Sequence, residues 1–435
     1  MKKLISTSFN KFKQHEFSKS VATLATGTII SQIIPILFSP IISRIYSPQD
    51  YALVAAYSSI TVILTIIATG MYDSALMIDK EDSEAINTGS FAILITFLVT
   101  IISAIFFLLY GRSVTRWIGS DDLGFWIFLA PITILFHGFY QTLNVWNNRK
   151  GRYKRMASNR IIMTLITTSA TLYFGYLGFA GKGLILSLII GQAISFILLL
   201  IQTIRNDKEM FHFISWPLIW RSAKMHKHFP IYNMPQGFLD GLRESGLIWV
   251  ISFFFGATAL GSFSFAKNIL MRPLQVIGNS VGNVFFQKAS KVYHETNDIY
   301  KISKKTVIGL FLIGFPFAIV IFLWGESIFT IIWGQTWVEA GKFSKILIFW
   351  LLLNFIASPL GFVPIILKKQ RQFFIFSVLT AAVPTGLFYF LGKTGYNIET
   401  SMIMYALTNI FFIIVFIKWI DLIIKKVCVP LPISS

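Results

Sequence analysis

Long apolar runs alternate with short polar segments, most of them basic, from one end of the chain to the other. A helix crosses the hydrocarbon core of a bilayer in about 20 apolar residues. At that length the pattern predicts twelve spans, at 21–43, 52–78, 86–110, 123–146, 161–179, 183–204, 231–255, 261–286, 306–325, 346–367, 373–391 and 402–424. They leave a basic segment at 1–20, a basic linker at 205–229 and a short tail at 425–435, so two six-helix halves are expected at 21–204 and 230–424. The first segment holds Lys2, Lys3, Lys11, Lys13 and Lys19 but no short apolar core with a small-residue cleavage site. It is expected to be a retained cytoplasmic segment rather than a signal peptide. Pro35, Pro40, Pro131, Pro273, Pro316, Pro359, Pro364 and Pro384 fall inside spans and predict kinks. The halves repeat weakly at an offset near 209 residues, which sets the turn S-P-Q-D-Y-A (47–52) against G-A-T-A-L-G (256–261). Such a repeat would be parallel, with a binding site between the halves.

The seventh and eighth spans break the apolar pattern. Asp240, Arg243 and Glu244 sit halfway along the seventh, and Lys267 and Arg272, the latter followed by Pro273, lie in the eighth. A charge at this depth costs about 2.5–3.5 kcal/mol on insertion scales, so each is a functional candidate facing protein or water. At about 100° per residue, Asn233, Gln236, Asp240, Arg243 and Glu244 share a sector of about 100°. Gly237, Gly241 and Ser245 form a neighbouring stripe suited to close helix packing. In the eighth span Ser264, Asn268, Arg272, Gln275, Asn279 and Asn283 share another polar sector, with Lys267 off it. Asp240 and Arg243 can neutralise each other, as can Glu244 and Lys267, but that pairing explains neither Arg272 nor the amides. The predicted substrate-binding residues are therefore Arg272, Arg243, Asn268, Gln275, Asn279, Asn233 and Gln236. Asp240, Glu244 and Lys267 are assigned to ion coupling or charge pairing. Amides match carbohydrate hydroxyls, and arginine matches a phosphate or carboxylate with two parallel bonds.

Milder stripes mark the first half: Thr28, Gln32, Ser39 and Ser43; Ser58, Thr61, Thr65 and Thr69; and His137, Gln141, Asn144 and Asn148. His137 is expected to be a hydrogen-bonded core histidine. Asp73 is placed at the membrane interface, and His226 and His228 in solvent.

Composition agrees with a membrane protein, at 55% hydrophobic and 13% charged residues against about 25% charged in soluble domains. The net charge of +19 raises the question of nucleic acid. Sorting the 38 Lys and Arg with the N-terminus inside gives 28 in cytoplasmic segments, 7 in external ones and 3 in spans. That bias is what insertion requires, so both termini are expected inside and nucleic acid is not an expected partner. Cys428 is the single cysteine, which excludes an intrachain disulfide and argues against a thiolate metal site; it is expected to be an ordinary residue near a membrane surface. There is no G-x-x-x-x-G-K-[ST] loop, nucleophile elbow or H-E-x-x-H. External loops are expected to be short, the longest being about twenty residues at 326–345. No enzyme, catalytic residue, cofactor or metal is expected.

Several stretches resemble the polysaccharide-export flippases, which are O-antigen and capsule repeat-unit translocases of the multidrug/oligosaccharidyl-lipid/polysaccharide exporter superfamily. S-R-I-Y-S-P-Q-D-Y-A (43–52) is similar to the family's R-x-Y-S-P-x-D-[FY]-G, with Ala52 in place of glycine. F-P-I-Y-N-M-P (229–235), F-G-A-T-A-L-G-S-F-S-F-A (255–266) and Arg272-Pro273 follow. W-G-Q-T-W-V-E-A-G (333–341) and N-F-I-A-S-P-L (354–360) resemble the late signature. The resemblance implies an all-α polytopic protein of the bacterial plasma (inner) membrane, with about twelve helices in two lobes around a cationic central cavity. It implies alternating access that moves an undecaprenyl-pyrophosphate-linked oligosaccharide outward, coupled to H+ or Na+. Expected partners are that lipid-linked oligosaccharide, membrane lipids, and the glycan polymerase and chain-length machinery. Arg272 coincides with a family motif; Asp240, Arg243 and Glu244 rest on the helical wheel alone. Two other readings stay open. One is a cation-coupled multidrug exporter, whose cavity should be acidic. The other is a non-transport scaffold of a glycan-assembly complex, whose charges should be fully paired.

Overall fold

In the computed structural model, residues 2–296 and 298–427 are described, with side chains described within 23–426; Cys428 lies outside them. The described residues form helices and short connections, with no strand. In chain order these are α1 (Lys2–Ile45), α2 (Pro48–Ala68), the single turn α3 (Tyr72–Ala75), α4 (Asp82–Trp117), α5 (Ala130–Arg149), α6 (Tyr153–Tyr176), α7 (Ala180–Asn206) and α8 (Trp216–Met225). The chain continues through α9 (Met234–Thr296), α10 (Tyr300–Trp333), α11 (Val338–Ala357), α12 (Val363–Ile366), α13 (Gln370–Lys393) and α14 (Ile398–Val427).

Among the described residues, ten helical stretches are long and apolar enough to cross a membrane. Two features separate this number from the expected twelve. The stretch Phe229–Tyr293 is one of the ten, yet it turns at Gly256, whose backbone is not helical. Helix α6 falls outside the ten because its first third, Y-K-R-M-A-S-N-R, is polar. Its 24 residues still make a rod of about 36 Å, longer than the hydrocarbon core. The expected external loop at 326–345 is corrected: α10 continues to Trp333 and α11 starts at Val338, so only a short turn separates them.

The chain divides into two units, Met1–Trp249 and Val250–Ser435. The division falls within the seventh span, not in the basic linker that precedes it. In the first unit Tyr57, Leu123, Ile127, Ala130 and Ile185 form a core that joins α2, α5, α7 and the turn before α5. In the second, Phe285, Ile299, Leu360, Val363 and Ile420 join the end of α9 to α12 and α14. Phe265 stacks on Trp337 with ring centroids 3.9 Å apart and meets Trp333 edge-on.

The motif residues turn out to be the corners of the fold. Ser47 caps α2 in a reciprocal box with Asp50, and Pro48 opens the helix where its missing N–H costs nothing. Asp50 also accepts a bond from the Gly181 N–H at the start of α7 (2.6 Å), and the Tyr46 hydroxyl donates to the Thr171 carbonyl of α6 (2.7 Å). One short motif thus ties the α1–α2 corner to two later helices. At 229–233 the chain makes one wide π-type turn, in which the Met234 N–H reaches the Phe229 carbonyl. Pro235 has no N–H to close a regular turn there.

Gly256 (φ 83°, ψ 178°) and Gly334 (φ 104°, ψ 166°) end the seventh and ninth spans in backbone conformations that essentially only glycine adopts. Gly256→Ala or Gly334→Ala should each destabilise the fold by about 1–3 kcal/mol. Gly309→Ala is the control: nothing lies within 4 Å of an added Cβ, and the residue is helical. Thermal unfolding in detergent, followed by recovery of the monodisperse species, checks the order.

Candidate functional site

The two stripes of the seventh span part company in the first unit. A Cβ on Gly241 would lie 2.7 Å from Ile66 Cδ1, and one on Gly237 2.9 Å from Ile66 Cγ2, so the glycine stripe lets α9 approach α2 closely. The Ser245 hydroxyl continues the contact by donating to the Ser59 carbonyl (2.7 Å), and Trp249 Nε1 donates to Ser59 Oγ (2.8 Å). With that face committed, Asn233, Gln236, Asp240, Arg243 and Glu244 lie outside the packed contact, and all five are exposed. Arg243 and Glu244 are within electrostatic range of Asp240.

The eighth span uses the same division of labour inside the second unit. Gly278 approaches Ser358 and Phe355, and Gly282 approaches Phe362. Asn268, Gln275 and Asn279 are exposed, as is Asn283, while Lys267 and Arg272 are half-buried. Ser264, expected on the polar sector, is buried instead. Glu244, Lys267 and Arg272 each have an interaction partner, so these charges are not isolated.

The structure adds polar sites that patterning missed. Asp73, placed at the interface by the sequence, is 3% exposed. Thr69 donates to its Oδ1 (2.6 Å) and the Gln141 side-chain amide to its Oδ2 (3.3 Å). One turn earlier on α5, His137 Nδ1 lies 2.7 Å from Gln192 Nε2. These residues come from the threonine stripe of the second span and the His137–Gln141 stripe of the fourth, so the signal was present in two halves. Their convergence was not. Arg160 likewise donates to Thr28 of the first stripe (2.7 Å).

A clamp closes the end of the first unit that carries the basic segments. His226, expected in solvent, is buried with its Nε2 2.7 Å from Asp79, and Thr88 donates to the other Asp79 oxygen (2.7 Å). His228 is exposed, as expected, and stacks on Tyr232. Arg149 bonds Asp82 and the carbonyls of Leu76 and Asp79, while Lys150 also pairs with Asp82. Asp207 takes hydrogen bonds from Arg152 and from Trp146 Nε1. Burial pushes the Asp207 carboxyl up, but these bonds and the positive charges of Arg152 and Lys150 outweigh it and hold the group below the ordinary carboxylate range. Such clamping suits a scaffold rather than chemistry. Among the described residues no three His, Cys, Asp or Glu side chains come together as a metal would require.

Helices of spanning length, with polar faces kept out of their packing, define a multi-pass membrane protein. The chain matches over nearly its whole length, with TM-score 0.71 and 14% identity, an inward-facing multidrug resistance MATE family transporter of the MOP superfamily, covering 93% of this chain and 94% of that one. It is also similar to the lipid II flippase MurJ in an inward closed conformation, with TM-score 0.67 and 14% identity over 93% and 90% of the two chains. A point mutant of the Vibrio cholerae MATE transporter VcmN matches with TM-score 0.56 and 12% identity over 97% and 98%. No curated protein matches the sequence significantly. The family model described as "Polysaccharide biosynthesis protein" matches residues 41–342, well over half of the chain, and the chain belongs to that family. The motif resemblance is borne out: the family is one of polysaccharide biosynthesis and the fold is that of the MOP superfamily.

Two outcomes follow from the clamp. His226→Ala leaves one buried Asp79 oxygen without its partner and should destabilise the protein by about 1–3 kcal/mol, whereas His228→Ala at its exposed position should shift the unfolding midpoint little. Asp207, lowered in the fold, contributes stability that is fully present above about pH 5 and is lost as pH falls through its lowered range. Asp207→Asn should remove that part of the acid sensitivity, which unfolding curves at about pH 7 and about pH 3 would measure.

Proposed function

We propose that this protein is a flippase that moves undecaprenyl-pyrophosphate-linked oligosaccharide repeat units across the bacterial plasma membrane for O-antigen or capsule synthesis, by alternating access coupled to an ion gradient. The observation that carries the reading is the pair of polar faces on the seventh and eighth spans. On each, small residues take up the packing and charged and amide side chains are left over. Amides and arginine in a membrane suit a ligand with many hydroxyls and an anionic group. The family's link to polysaccharide biosynthesis supports a glycan. The MurJ neighbour, a lipid II flippase, supports a lipid-linked one.

In this reading Arg272 and Arg243 attract the pyrophosphate or an acidic sugar, and Asn268, Gln275, Asn279, Asn233 and Gln236 contact the glycan. Asp240 or Glu244 carries the coupling cation or holds an arginine in place, with Lys267 as a charge partner. Asp73, held by hydrogen bonds from Thr69 and Gln141 in the turn after α2, stays outside this set. A multidrug exporter would share the fold, but three basic residues against two acidic ones at mid-span favour an anionic cargo over cationic drugs.

Deletion of the gene should stop surface polysaccharide and leave the lipid-linked repeat unit on the cytoplasmic side. Arg272→Ala and Arg243→Ala, inserted at normal levels, should each lower export about tenfold or more, the loss expected when a charge-assisted contact worth about 1.5–3 kcal/mol is removed. Full-rate export by both variants would sink the site assignment. Drug resistance on overexpression with unchanged surface glycan would favour the exporter instead.

A further inference from the structure

The second unit carries a groove of about 530 Å³ between α10, α11 and α14, lined by none of the residues on the polar faces of the seventh and eighth spans. That volume lies in the range of small-ligand sites, roughly 300–1,000 Å³. Its lining is ordered by depth. At one end are two ion pairs, Lys345–Glu326 at 3.0 Å and Lys342–Glu399 at 3.8 Å. Beyond them the wall is wholly apolar, and it includes Phe322, Phe349, Ile403, Leu407 and Ile410.

The sequence builds this gradient from helical spacing. On α14, Glu399 is followed on the same face by Ile403, Leu407 and Ile410, four, eight and eleven residues on. On α11, Lys342 and Lys345 precede Phe349 along one face, and on α10 Phe322 precedes Glu326 by one turn. From Glu399 to Ile410 the rise is about 16 Å, half of a hydrocarbon core about 30 Å thick. The charged end is the one that the lysine and arginine count assigns to the outside. The groove therefore has the depth of one leaflet, with its charges at headgroup level.

Charge arrangement selects the occupant. Two lysines alternate with two glutamates and sum to zero, so a purely anionic headgroup meets two carboxylates and a purely cationic one meets two ammonium groups. A headgroup that carries both a phosphate and a primary amine satisfies both sets. All four side chains are between 34% and 54% exposed. Exposed pairs of this kind are weak, so they can open to admit a matching headgroup at little cost. We propose that this groove is a binding site for a zwitterionic aminophospholipid of the outer leaflet, its phosphate held by Lys342 and Lys345, its amine by Glu326 and Glu399, and one acyl chain against the apolar wall. Phe322 and Phe349, with ring centroids 5.1 Å apart, form part of that wall.

The test uses the full chain reconstituted in vesicles of equal parts phosphatidylethanolamine, phosphatidylcholine and phosphatidylglycerol, then extracted gently and weighed with its retained lipid by native mass spectrometry. Phosphatidylethanolamine should be retained at least about fivefold over the other two, because only it offers both a phosphate and an amine with N–H donors. The double variant Glu326→Gln/Glu399→Gln should lose the preference over phosphatidylcholine. Lys342→Gln/Lys345→Gln should lower retention of all three, and Leu407→Trp, which fills the groove and leaves the charges alone, should do the same. Equal retention of the three lipids by the unmodified protein would overturn the proposal. So would a preference that survives the glutamate variant, or displacement of the phospholipid by an added polyprenyl-pyrophosphate glycan.

Discussion

Inside a bilayer no water completes a hydrogen bond, so every polar group must find its partner within the protein or beside an aqueous space. That constraint governs most of what this chain does with its polar residues. Ser39 and Ser43 return their hydroxyls to carbonyls one turn back on α1, and Thr61 and Thr65 do the same on α2. Buried amides follow the rule between elements: Asn159 of α6 donates to the Ser195 carbonyl of α7, and Asn87 of α4 to the Phe213 carbonyl. Once these needs are met within each unit, the polar side chains of the seventh and eighth spans remain as surface that helix packing does not use.

Small residues make that leftover surface possible. A helix can present a charged face only if another face holds it in place, and in hydrocarbon that hold comes from close backbone approach more than from apolar burial. Gly237, Gly241 and Ser245 supply it against Ile66 and Ser59, and Gly278 and Gly282 supply it against α11 and the turn that follows. The motif residues have a related role. Ser47, Pro48, Asp50, Gly256, Gly334 and Trp337 shape corners and anchor rings, and none of them belongs to a polar stripe. Solved structures at 12–14% identity share this fold while their roles range from multidrug resistance to lipid II flipping, so the fold alone does not set the cargo.

Much of the fold was legible because its signals are local. Twenty-residue apolar runs, capping motifs and glycine at corners act over one or two turns of chain, and the turns at Ser47 and Gly256 fall where the internal repeat set them against each other. The small-residue stripe on the seventh span was legible as a packing face for the same reason, although its partner, α2, was not. Hydropathy misjudged lengths where helices run past the hydrocarbon: α10 reaches Trp333 because nothing in a polar headgroup region obliges a helix to stop.

By itself the sequence determined that this is a multi-pass helical membrane protein, where its corners lie, and which faces of two spans are charged. These follow from transfer energies and helical periodicity, which need no knowledge of neighbours. Tertiary structure decided the rest. It took Asp73 and His226 from expected exposure into buried partnerships with Gln141 and Asp79, residues 68 and 147 positions away. It split the seventh span between two units. It also turned three amphipathic stripes on α10, α11 and α14 into one groove. A pattern along one helix states which side is polar, but only the packing of several helices states what that side meets.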